Sequence, residues 1–501
     1  MTTIIRNTRV LTMDDANTEH DRADILIEGA TISAIGPDLT VPEGADARVI
    51  DGAGMLAMPG LVNGHFHSSS LMFKGAFEGA PLEIIMLSEA PPMCAPFTSH
   101  RYHYLRTMLG VMEMLKLGIT AVRDDAFHFP APTIASIDGI MQAYADGGMR
   151  AEVTMDQHNV VEYTKLPGLH ERLTDDDRVA MEAEPFLSGE ALLDLYRGMI
   201  ERWHGACDGR LAVAVSCSAP QRVTAEYFQG LGNLSRAHDL AFNAHILETR
   251  AQRVLGDENY GGSLIRYVHD LGLLDERMVV IHAVWTDEDE WRLMADSGCA
   301  VAHNPISNLK LGSGIMPFRR LREHGIPICI GSDEASTDDT ANLWQVAKTG
   351  ALIQKIAELD YRHWPPAAHY LEAMTRGGAR AMRRADKGGM LAPGRDADLI
   401  LIDLDTLAFT PLNDLRRQLV FCENGSSVAL TMVAGQVVAE GGKLLTVDED
   451  AIKAELRALM PAYEKACGEI RADAARREPP YREVYMDAAA RDVGFSRWAD
   501  G

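Results

Sequence analysis

The chain has 501 residues with 48 basic and 72 acidic side chains, a net charge of −24. Such a surface repels phosphate backbones and anionic lipid, which excludes nucleic acid and membrane as partners. Hydrophobic residues at 47% and charged ones at 24% leave a large core available, and length suggests about three domains unless one elaborated barrel absorbs most of the chain.

The first 60 residues read as short strands. Asp24-Ile-Leu-Ile and Ile32-Ser-Ala-Ile flank Glu28-Gly29, a hairpin signal, and Pro59-Gly60 closes the stretch. A helix follows, with Leu105, Met108, Leu109, Met112 and Leu115 on one face and Gly118 just past its end. Apolar strands then alternate with helical patterns: Ile119–Val122, Leu211–Val215, Ala241–Ala244, Met278–Ile281, Ala300–Ala302 and Ile326–Ile330. Alternation over this length predicts parallel βαβ units. Polar residues sit just after the C-terminal ends of several strands, which favours a TIM-type (β/α)₈ barrel over an open sheet. Asp398–Asp403 and Val428–Val438 return to strand texture, the second folding at Ala434-Gly435. Both ends are expected to pair into one small β domain, residues 1–60 with 388–445, around a barrel of 61–387. Residues 446–501 read as terminal helices and then a polar tail with Pro479-Pro480.

The seven cysteines (94, 207, 217, 299, 329, 422 and 467) form no CxxC pair, which implies neither a disulfide framework nor a thiolate zinc site. No run of 18 apolar residues occurs and no signal-peptide pattern opens the chain, so the expectation is a cytoplasmic enzyme.

The chemistry concentrates in a few positions. Gly64-His65-Phe66-His67 follows the apolar Met58-Pro-Gly-Leu-Val62. Residues i and i+2 of a strand share a face, so both imidazoles can meet one metal. His245 follows Leu240-Ala-Phe-Asn-Ala with Glu248 three residues on, His282 follows Val279-Val-Ile, and Asp333 follows Ile328-Cys-Ile-Gly-Ser. Any one of these reads as a hydrogen-bonded strand end. Together they are convergent polar groups that are costly to bury without a metal. HExxH, GxxxxGK, GxSxG and GxGxxG are absent, as is the Pro-Cys-x-x-Cys of cytidine-deaminase-type enzymes.

Taken in order, several motifs resemble the amidohydrolase superfamily. They are Pro59-Gly-Leu-Val-Asn-Gly-His65-Phe-His67, Ala244-His245-Ile-Leu-Glu248, Ile281-His282-Ala, His303-Asn-Pro-Ile-Ser-Asn308-Leu-Lys-Leu311, Gly331-Ser-Asp333 and Gly389-Met-Leu-Ala-Pro-Gly394-Arg-Asp-Ala-Asp398. The resemblance covers about residues 1 to 445 and is to the mononuclear aminohydrolase branch. That branch holds the cytosine, guanine and methylthioadenosine/S-adenosylhomocysteine deaminases and the triazine hydrolases. It implies a (β/α)₈ barrel carrying a β-sandwich built from both termini, and commonly a homo-oligomer. It also implies His65, His67, His245 and Asp333 as ligands of one divalent metal, Zn²⁺ or alternatively Fe²⁺. Val213–Pro220 has no lysine to be carboxylated for a second metal.

Under that resemblance a divalent metal brings the pKa of its water towards ~7. Asp333 takes the water proton, His282 orients the nucleophile, and Glu248 passes a proton to a ring nitrogen and then to departing ammonia. An N=C–NH₂ carbon needs this proton before attack, so the set points to hydrolytic deamination of a small amino-substituted nitrogen heterocycle such as a purine, pteridine or triazine. The alternatives are opening of a cyclic amide or imide, displacement of chloride or alkylamine, or a catalytically silent barrel scaffold. Substrate contacts are expected from Asn304, His158, Gln157 and Trp285, with a turn or cap role open for Asn304. Asp124 and Asp125 read as a helix cap in preference to a site for a cationic group. Ser68–Pro96, with Phe73, Lys74, Phe77, Met86 and Met93, is expected to cover the site.

Overall fold

The computed structural model describes residues 2–498 apart from 17, 45, 130 and 185. Its centre is a closed parallel barrel assembled from two five-stranded sheets. The staves in chain order are Leu61–His67, Ile119–Phe127, Arg150–Asp156, Leu211–Ser216, Phe242–Ile246, Met278–His282, Ala300–His303 and Ile328–Glu334. The fourth is interrupted at 214 and the eighth at 331–332. Closure comes from the eighth stave pairing with the first, Asp333 opposite Phe66 and Glu334 opposite His67.

Burial along these strands is nearly continuous, because helices cover the outside and side chains fill the inside. The helix His100–Lys116 starts at Ser99, whose side chain accepts the Tyr102 amide, and Gly118 follows its end at φ +81°. Of its expected apolar face, Leu105, Met108, Met112 and Leu115 are buried in the main core, with Leu109 packed against it.

Both ends of the chain join one nine-stranded sheet. Leu399–Asp403 lies antiparallel to Met55–Pro59, so the late strands complete what the first residues begin. Thr2–Leu11 is long enough to pair with Glu19–Glu28 along one edge and with both Ala47–Asp51 and Met55–Pro59 along the other. One apolar cluster, including Ile5, Ile25, Ile27, Leu399, Leu401 and Met432, unites the two segments. Arg150, at the start of the third stave, donates through Nε to Asp398 at 2.8 Å and ties this sheet to the barrel.

The C-terminal segment corrects the expected helices and polar tail. Glu449–Ala490 is a single helix of 42 residues with Pro461, Pro479 and Pro480 inside it. At ~1.5 Å per residue it spans ~60 Å, enough to cross the barrel mouth. Tyr463 and Cys467 pack with Phe73, Phe97 and Tyr102. Further on, Ala474, Tyr481 and Val484 pack with Leu87, Leu169, Leu173 and Met181. Ala488 meets Ala251 and Val254. Proline removes an amide donor and costs ~3 kcal/mol inside a helix, so contacts of this kind are what hold the helix through its prolines. Among the described residues no helix is long and apolar enough to cross a membrane.

Candidate active site

The inward-facing residues of each stave alternate, as a parallel barrel requires. On the first stave these are Asn63, His65 and His67, all buried. His245 ends the fifth stave and His282 the sixth, while Asp333 opens the short last segment of the eighth. The folding therefore brings five strand-end groups, His65, His67, His245, His282 and Asp333, to one point.

Four donor atoms converge there. His245 Nε2 lies 3.3 Å from both His65 Nε2 and His67 Nε2. Asp333 Oδ1 lies 3.3 Å from His65 Nε2 and 3.4 Å from His67 Nε2. Donors that share one zinc at ~2.0–2.2 Å lie ~3.0–3.6 Å from their neighbours. The set thus has the spacing, and the three-nitrogen, one-oxygen chemistry, of a zinc site. The outer ring nitrogens support it. His67 Nδ1 faces the Asp125 carbonyl at 2.5 Å and His245 Nδ1 the Ser218 carbonyl at 2.7 Å. Each then holds its proton on Nδ1 and turns the Nε2 lone pair inward.

His282 is oriented from behind. The side-chain amides of Asn308 and Asn304 lie 3.0 and 3.4 Å from its Nδ1. An amide N–H directed at Nδ1 leaves the neutral ring's proton on Nε2, which faces Glu248 Oε2 at 3.5 Å and Asp333 Oδ2 at 3.7 Å. Burial, with neighbouring His245 and His65, pushes His282 well below its ordinary pKa despite Asp333, so it is neutral. Glu248, only 4% exposed, goes the other way. Burial and then the carboxylates of Asp333, Glu334 and Glu83 raise it well above the usual range, so it holds its proton. Burial would also raise Asp333, but His65, His282 and His67 hold it well below.

The backbone is strained at this rim. Ser218, Leu247, His282, Ala283 and Asp333 all have positive φ, between 49° and 74°. Non-glycine residues reach this region at a cost of ~1–3 kcal/mol, and these five sit at or just past stave ends. Gly331 is a close approach: a Cβ there would lie 2.5 Å from the His65 carbonyl and 2.7 Å from Asn304 Oδ1.

The cavity above this point is lined by His67, His245, Glu248, His282 and Asp333. Phe73, Leu82, Met86 and Leu87 from the Ser68–Pro96 segment also line it, whereas Lys74 pairs with Glu113 and Met93 is exposed. His158 lines it as expected, beside Asp156. The other expected substrate contacts are placed elsewhere. Asn304 stands behind His282, and the Gln157 amide donates to the carbonyls of His128 and Asp156. Trp285 is fully buried, donates to the Ser313 carbonyl at 2.7 Å and stacks edge-on with Trp498. Its position three residues after His282 is what leads to the expectation of a substrate contact. The C-terminal tail packs over that face, and the ring supports the tail.

Asp124 caps a different element from the one expected: it accepts the Ser68 amide at 2.8 Å, where a short 3-10 helix begins, and the Tyr144 hydroxyl at 2.9 Å. Asp125 accepts Ser216 Oγ at 3.1 Å and lies behind His245. Sequence reasoning missed Glu89, Glu162, Lys165 and Arg222 in the cavity wall, and Arg477 and Tyr481 from the C-terminal helix. Only Glu334, next to Asp333, carried a positional signal.

Residues 56–438 match the amidohydrolase family. The chain belongs to that family. It is a hydrolase acting on carbon–nitrogen bonds other than peptide bonds. Among its relatives, a 5-methylthioadenosine/S-adenosylhomocysteine deaminase of Desulforudis audaxviator is 30% identical over 453 residues, covering 90% of this chain and 96% of that protein. A 5'-deoxyadenosine deaminase of Methanosarcina mazei is 28% identical, covering 90% and 95%. Among solved structures, the atrazine chlorohydrolase TrzN of Arthrobacter aurescens TC1, complexed with zinc, superposes with TM-score 0.80 at 27% identity. That match covers 92% of this chain and 100% of the hydrolase.

Proposed function

We propose that the protein is a hydrolytic deaminase of an adenine nucleoside altered at its 5′ end, with His65, His67, His245 and Asp333 as ligands of one Zn²⁺. The observation that carries this reading is the convergence of those donors, 3.3–3.4 Å apart in the pairs His245–His65, His245–His67, Asp333–His65 and Asp333–His67, beside a Glu248 held protonated and a His282 held neutral by burial. When bound, the ion supplies a Lewis acid that makes water a nucleophile near neutral pH.

The residues of the chain supply the rest. Asp333 accepts a proton from the attacking water at Oδ2. His282 Nε2–H directs that water and stabilises negative charge as it grows on oxygen. Glu248 gives its proton to the ring nitrogen next to the amino-bearing carbon, so that the carbon can be attacked. The proton on Asp333 then goes to the departing amino group, and the new hydroxyl returns one to Glu248. The balance is one water consumed, one C–N bond broken, one carbonyl formed and one ammonia released. Phe73, Leu82, Met86 and Leu87 provide an apolar wall against which a purine can lie.

The test is ammonia release from adenosine, 5'-deoxyadenosine, methylthioadenosine and S-adenosylhomocysteine, run beside a chlorotriazine. Ammonia from at least one nucleoside is expected. Chloride from the triazine with no ammonia from any nucleoside would replace this reading with halide displacement. Metal analysis of protein purified without chelator is expected to find one zinc per chain; iron in its place would correct the ion.

A further inference from the structure

The cavity has two ends. One is the cluster of stave-end residues. The other is walled by Glu162 and Lys165, from the segment after the third stave, by Arg222, and by Arg477 and Tyr481 of the C-terminal helix. The family match ends at residue 438, and the helix begins at Glu449. A part of the chain outside that match therefore builds a wall of the site.

That wall carries three cationic side chains, Lys165, Arg222 and Arg477, against the carboxylates of Glu162 and Glu184, and Arg477 Nε also lies 2.8 Å from Asp473 Oδ2. Lys165 is buried and is taken by Glu162 at 2.5 Å. Arg222 reaches Ser218 Oγ through Nη1 at 3.2 Å, yet its buried Nε has no partner. Tyr481 is 1% exposed, and its hydroxyl, too, has no hydrogen-bond partner. A buried donor left unpaired costs ~1–3 kcal/mol, and such groups in a cavity wall call for an acceptor from the ligand. The helix is held there firmly. Arg476 pairs with Asp177 at 3.1 Å, Arg172 pairs with Asp487, and Tyr481 and Val484 sit in an apolar cluster with Leu87 and Leu169.

We propose that the C-terminal helix makes this enzyme selective for a heterocycle whose far substituent carries acceptor oxygens, hydroxyl or carboxylate, read by Tyr481 and Arg477 together with Arg222. This rests on the deaminase reading above. The two are separable, because that reading concerns the ring and this one the opposite end of the substrate.

The experiment compares Tyr481→Phe and Arg477→Ala with the wild type on three substrates: free adenine, 5'-deoxyadenosine and S-adenosylhomocysteine. Glu455→Ala, on the same helix but paired with Arg101 far from the cavity, is the control for helix docking. KM for S-adenosylhomocysteine is expected to rise at least tenfold in both variants with kcat unchanged. The ratio of its kcat/KM to that of 5'-deoxyadenosine should fall accordingly. Adenine should be unaffected within twofold, and melting temperatures should match the wild type. Equal losses on all three substrates, or no loss on any, would overturn the proposal. If the wild type releases ammonia from none, the deaminase reading itself fails. In that case, calorimetric titration of the same ligands still decides the helix question: tighter S-adenosylhomocysteine binding to wild type than to both variants supports it, and equal binding overturns it.

Discussion

Two layers of the same barrel interior bury polar side chains, and they differ in how those groups are satisfied. In the lower layer Arg123, Glu152 and Asn243 come from the second, third and fifth staves. Arg123 donates to Glu152 through Nε at 2.7 Å and to Asn243 through Nη2. Two residues further along the same strands stand Asp125, Thr154 and His245, in the upper layer with His65, His67 and Asp333. There the inward nitrogens of three histidines have only one another and a single carboxylate oxygen as neighbours. The lower layer pairs its cation with a carboxylate and leaves Arg123 Nη1 without a partner, whereas the upper layer turns four metal-ligating atoms toward one another. Five residues with positive φ sit at the upper rim as well, and backbone strain of this kind accompanies functional sites. Burial of charge alone thus does not mark a site; the convergence of metal-ligating donors does.

Breaking the upper layer should cost function most. Asp333→Ala removes both a proposed ligand and the proton acceptor. It is expected to abolish metal retention, measured by atomic absorption, and to lower kcat/KM by more than ~10⁴-fold. Glu248→Gln keeps the donor set, so metal content should remain while kcat falls ~10²–10⁴-fold; unchanged kcat would remove Glu248 from proton transfer. The lower layer should respond in stability instead. Arg123→Ala leaves Glu152 buried and unpaired, with an expected loss of ~3–5 kcal/mol in denaturant unfolding and no change in KM. The double variant Arg123→Met with Glu152→Met should recover most of that loss. Asn308→Ala frees the back of His282 and should lower kcat ~10–100-fold while leaving metal bound. Smallest of all, Glu455→Ala breaks an exposed pair with Arg101 and should cost less than ~1 kcal/mol.

Much of this was legible in the chain. His65 and His67 show their shared face through the two-residue period of a strand, and His245, His282 and Asp333 each announce themselves by following an apolar run. The barrel was readable from strand and helix alternation, and the joined termini from two β textures far apart. Other features were hidden for physical reasons. Trp285 follows His282, but the packing of the C-terminal tail, not sequence position, decides whether its ring meets substrate or protein. Asn304 reads as a turn residue or a substrate contact and Asn308 only as part of a motif, and the parallel pairing of the sixth and seventh staves sets both amides behind His282. Pro479-Pro480 read as a tail because local propensity opposes a helix there. Apolar packing and ion pairs along a 42-residue helix outweigh that propensity.

The chain by itself determined the chemistry that is available: four histidines and two carboxylates at or just past strand ends, in an order that belongs to one family. Those assignments are local, since strand period and apolar context settle where each side chain points. Tertiary structure alone decided the convergence of the four donors, the burial that raises the Glu248 pKa and the presence of Arg477 and Tyr481 in the cavity. Each of these depends on which distant segments exclude water from the same small volume, and short-range periodicity carries no record of that.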